Sequence, residues 1–77
     1  MWWYYVKKLD NADKIIYLYG RETETVSGEL MYNKKNKKYR VLKHADGDTD
    51  KMAQWALQHM LDVIEAGCPD KKTVAIG

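Results

Sequence analysis

Residues 2–6 read Trp-Trp-Tyr-Tyr-Val, and this run constrains the fold more than any other stretch of the chain. Successive side chains on a strand point to opposite faces, so Trp2 and Tyr4 share one face and Trp3 and Tyr5 the other. One covering layer cannot serve both. One Trp/Tyr pair belongs under a packed element, and the other belongs to a second surface. Three Trp and six Tyr with no Phe give each of these rings an N–H or O–H that needs a partner or water. On chemistry alone such rings suit interfaces better than dry cores.

The rest of the chain supplies elements for such a sheet. After residues 2–9, Asp10-Asn11-Ala12-Asp13 is a turn, and Lys14 to Gly20 reads as a second strand rich in β-branched and aromatic residues. A third strand is expected over 25–32, where Val26, Gly28, Leu30 and Tyr32 alternate with Ser27, Glu29 and Met31. Asn33 to Lys38 is a polar turn with two Asn suited to left-handed dihedrals, leading to a fourth strand over 38–43. Asp48 or Thr49 offers an N-cap for a helix over 50–66, which Gly67 and Pro69 end. The tail 68–77 closes on Thr-Val-Ala-Ile-Gly, either a short edge strand or a frayed end. The expected class is α+β: a single domain over 1–77, an antiparallel four-stranded meander with one C-terminal helix on one sheet face.

At 77 residues the core supplies roughly 3 to 5 kcal/mol before any further support. The lone Cys68 makes no internal disulfide, and His44 and His59 lie far from any paired thiols, so neither staple nor zinc is expected. Self-association is the remaining stabiliser, and a homodimer is expected. From a single cysteine, the lack of an apolar run of membrane-spanning length and the lack of a secretory leader pattern, a cytoplasmic location is expected. Charge is unevenly spread: residues 1–43 hold ten Lys/Arg against five Asp/Glu, and residues 44–77 hold three against six. That asymmetry steers an acidic ligand to one end or favours head-to-tail association.

At 100° per residue, Met52, Ala53, Ala56, Leu57, Met60, Val63 and Ile64 form the core stripe of the helix. Leu61 widens it on one side, and Trp55, His59 and Ala66 widen it on the other, so a second contact is expected at the Trp55/His59 flank. On the sheet, Val26, Leu30 and Tyr32 are expected to face the helix with Ile16 and Leu18. That arrangement leaves Ile15, Tyr17, Tyr19, Met31 and one alternate pair of the first strand on an uncovered face. The interface residues expected on this reading are Trp3, Tyr5, Tyr17, Tyr19, Met31, Trp55 and His59.

The alternative use of the same face is single-stranded nucleic-acid binding. Trp3, Tyr17 and Tyr19 would stack bases, while Lys7, Lys14, Lys34, Lys35, Lys37, Lys38 and Arg40 hold phosphates. Asp46-Gly47-Asp48-Thr49-Asp50 resembles the start of a calcium loop but carries Lys51 and Leu57 where that loop needs Gly and Glu, so no metal is expected. Nor does any nucleophile, paired carboxylate set or cofactor motif point to catalysis. The chain reads as a binding protein, with no enzymatic activity and no cofactor expected.

Overall fold

Asn11 turns the chain: its Oδ1 accepts from the backbone N–H groups of Asp13 (2.9 Å) and Lys14 (3.0 Å). It joins β1 (Trp2–Asp10) to β2 (Lys14–Arg21) in a computed structural model that describes residues 1–76. Asn33 acts in the same way between β3 (Gly28–Asn33) and β4 (Lys38–Lys43), accepting from Lys35 (2.9 Å) and Asn36 (3.1 Å). The left-handed position in this turn falls to Lys37 (φ 59°), while the two Asn act through their side chains.

β3 starts three residues later than its alternation suggested. Residues 22–27 fold back over Gly20, where a Cβ would collide with the carbonyl oxygens of Thr25 and Thr23, and the chain joins the ladder only at Gly28. After the helix α1 (Asp50–Glu65), the tail does form a strand, β5 (Lys71–Ala75), which runs antiparallel beside β1. Backbone bonds from Lys7 N to Asp70 O and from Ile76 N to Met1 O, both 2.8 Å, extend that ladder at each end. The result is a five-stranded antiparallel sheet in the order β4-β3-β2-β1-β5, with one helix across one face. The α+β class stands, with one strand more than the meander.

Both helix ends carry sequence-encoded caps. Thr49 Oγ1 accepts from Met52 N (3.2 Å) at the N-terminus. At the other end Gly67 (φ 94°) donates to Ile64 O (3.1 Å) and Cys68 to Val63 O (3.2 Å), the paired bonds of a Schellman ending.

The sheet meets the helix through the face opposite to the one expected on β2. Trp3, Tyr5, Ile15, Tyr17, Tyr19 and Leu30 are completely buried, against Ala53, Ala56, Leu57, Met60 and Val63 of α1. Met52 and Ile64 are half-buried at the margins of the stripe, and Leu61 stays 44% exposed. Register explains the reversal. Leu30 does face inward, but its partner on β2 is Tyr17, with Ile15 opposite Tyr32 and Tyr19 opposite Gly28. Ile16 and Leu18 therefore point outward. The small Ala53 and Ala56 leave room under the helix that rings fill and shorter aliphatic chains would not.

Candidate functional site

The three core tyrosines use their hydroxyls to hold the helical layer onto the sheet at three points. Tyr19 reaches the entry loop, donating to Asp48 Oδ2 (3.0 Å) and accepting from Ala45 N (3.0 Å). Tyr5 donates to Ala56 O (2.7 Å) in the middle of α1, and Tyr17 to Pro69 O (2.5 Å) just beyond its end. Burial pushes the Tyr19 hydroxyl up to about 12, with the Asp48 carboxylate adding to the rise. Burial also raises Tyr5 and Tyr17, the first further by the Asp62 charge and the second by Cys68, Asp10 and Asp70. These three hydroxyls, which argued for an interface, are satisfied inside the domain.

Four expected interface residues are thereby relocated. Trp3, Tyr5, Tyr17 and Tyr19 lie under the helix with no exposed surface, and the last two, with Trp3, are closed to bases as well. Met31 is on the uncovered face, half-buried. Trp55 (41% exposed) and His59 sit over β1 beside β5: Trp55 meets Trp3 edge-on at 6.4 Å, and the His59 ring stacks on it at 5.1 Å. The indole N–H of Trp3 is buried beneath them with no hydrogen-bond partner among the described residues. Outside this pair, Met1, Trp55, His59 and Ile76 line an apolar hollow of about 470 Å³.

The face that no helix covers is built from the other alternates. Ladder partners place Trp2, Tyr4 and Val6 of β1 there with Ile16 and Leu18 of β2 and Met31 of β3, all half-buried by one another. The inner rings pair among themselves, Tyr5 with Tyr17 and Tyr32 with Tyr39, whereas Trp2 and Tyr4 enter no ring pair and no side-chain hydrogen bond among the described residues. Register also puts Lys14, Lys38, Arg40, Lys43 and Lys71 on this face, around the apolar centre, with Lys8. Its one acid among the described residues is Glu29, which is paired to Lys8.

Ion pairing separates the expected phosphate-binding cations into two groups. Lys7 is held by Asp10 (3.5 Å) and Asp70 (3.6 Å), Lys34 by Asp10 (2.6 Å) and Lys35 by Asp13 (3.2 Å). The Lys34 hydrogen bond, assisted by Lys7, holds the Asp10 carboxyl below its ordinary range. Lys37, Lys38 and Arg40 form no ion pair among the described residues; neither do Lys14, Lys43 and Lys71. Of these, only Lys37 lies off the uncovered face, in the β3–β4 turn. The charge asymmetry of the sequence thus becomes an asymmetry between layers, cations on the open sheet face and Asp46, Asp48, Asp50, Asp62 and Glu65 in the helical layer.

The acidic loop has a structural task. Asp48, its side chain 2% exposed, gives one oxygen to Tyr19 and the other to Arg21 Nε (2.9 Å), so it ties the helix entry to β2. Among the described residues no three His, Cys, Asp or Glu side chains converge as metal ligands. No helix among the described residues is long and apolar enough to cross a membrane. No protein-family model, curated protein or solved structure matches the chain.

Proposed function

We propose that the protein is a non-enzymatic, cytoplasmic binding module that takes single-stranded nucleic acid on the uncovered sheet face. The observation that carries this reading is the convergence there of two rings and five cations that are unpaired among the described residues. Trp2 and Tyr4 stand two residues apart on one strand, about 6.6 Å, and offer successive stacking surfaces. Stacking of a base on such a ring contributes about 1–3 kcal/mol and tolerates any base. Lys14, Lys38, Arg40, Lys43 and Lys71 surround the apolar centre and supply positive charge for the phosphates, while Val6, Ile16, Leu18 and Met31 form its floor. The lone half-buried Cys68 fits the reducing compartment.

The same charges argue against the face as a homodimer contact. Two copies stacked face to face set five unpaired cations against five more, and like-charge juxtaposition costs several kcal/mol.

Fluorescence anisotropy of a short labelled oligothymidylate tests the assignment. Binding is expected at low salt, and five phosphate contacts give a log–log salt slope of about −3 to −4. Lys14→Glu with Arg40→Glu should flatten that slope, and Trp2→Ser should weaken binding at every salt concentration. Lys37→Glu, in the turn, is the control and should change little. No binding at low salt, or binding only to a glutamate-rich peptide, overturns the assignment.

A further inference from the structure

The two edges of the sheet are unequally protected. β4 carries Lys38, Arg40 and Lys43 along its length and a register shift near Leu42, both of which discourage pairing with another chain. β5 has lysines only at its start, followed by Thr73, Val74 and Ala75. Its backbone polarity is readable from the ladder ends. Lys7 N donates to Asp70 O, and Ile76 exchanges bonds with Met1, so even-numbered residues of this segment aim their N–H and C=O groups at β1. The groups of Lys71, Thr73 and Ala75 face outward from the edge.

We infer that β5 pairs antiparallel with β5 of a second copy about a twofold axis at Thr73. Thr73 then faces its own counterpart and Lys71 faces Ala75, pairs in which outward N–H and C=O groups meet and exchange two bonds each. Lys72 faces Val74, so no lysine is set opposite another lysine. The pairing is self-complementary, as a twofold contact must be. On the helix side it sets Val74 of each copy beside Lys72 of the other, on the face that their β1 partners Trp3 and Tyr5 share. On the opposite side it doubles the five strands to ten, so the two cationic faces form one continuous surface. The dimer does not depend on that surface binding anything.

Light scattering on the purified chain at micromolar concentration, without nucleic acid, tests it. The expected mass is twice the 9.0 kDa of one chain. Thr73→Pro removes an outward N–H while sparing the bonds to β1, and should yield a monomer with unchanged circular dichroism. Should that variant lose its fold, Ala75→Pro, which removes another outward N–H at an exposed position, takes its place with the same expected outcome. Leu18→Lys on the open face should leave the dimer intact. A monomeric wild type, or a dimer dissolved by Leu18→Lys yet retained by Thr73→Pro or its replacement, overturns the inference.

Discussion

Tyr19 is the residue on which most of the domain's polar order converges. Its hydroxyl satisfies Asp48 and the Ala45 N–H together, so Tyr19→Phe leaves two buried groups short of a partner. A loss of about 1–3 kcal/mol is expected in urea denaturation, against about 0.5–1.5 kcal/mol for Tyr5→Phe, which removes one donor from an already bonded helix carbonyl. Gly28 is bound to the same ring: a Cβ there would collide with Tyr19 Cε1 and Cδ1, so Gly28→Ala should cost about 1–3 kcal/mol through overpacking. The presence of polar rings was legible in the sequence, but their partners were not. A backbone carbonyl or N–H of a helix or loop leaves no residue-type signature, and the Ala56 and Pro69 carbonyls and the Ala45 N–H are partners only because the fold brings them there.

At the scale of elements, boundaries with local chemistry could be read and faces could not. Thr49, Gly67 and the two Asn turns act within a few residues, and each is where the sequence placed an end or a turn. Alternation alone does not select the buried face of β2, because both of its alternate sets are apolar, Ile15, Tyr17 and Tyr19 against Ile16 and Leu18, and there is no polar side to exclude. The choice is made by pairing with β3 and by the alanines of α1, both remote in sequence. One consequence of this choice is alkaline sensitivity. The three buried tyrosines keep their protons in the folded state above the ordinary value near 10. The unfolded chain releases those protons first, so stability is full below pH about 10 and falls as pH rises from there through about 12. Denaturation midpoints measured across that window should decline, and Tyr5→Phe should make the decline shallower by one proton.

For the whole molecule, the decisive property is that one layer is closed and the other open. The helical layer holds five of the eleven acids and turns the core tyrosines to internal use, whereas the exposed sheet face, with Glu29 as its one acid among the described residues, keeps two rings that are unpaired among those residues inside a ring of cations. The three tryptophans sample the three environments separately: Trp2 on the open face, Trp3 in the core, Trp55 on the flank beside β5. Their indole N–H resonances, followed as oligothymidylate is added, test the binding assignment most directly. Binding through the open face shifts the Trp2 resonance and leaves those of Trp3 and Trp55 in place. A shift at Trp55 with Trp2 unmoved, or no shift at any of the three, would contradict it.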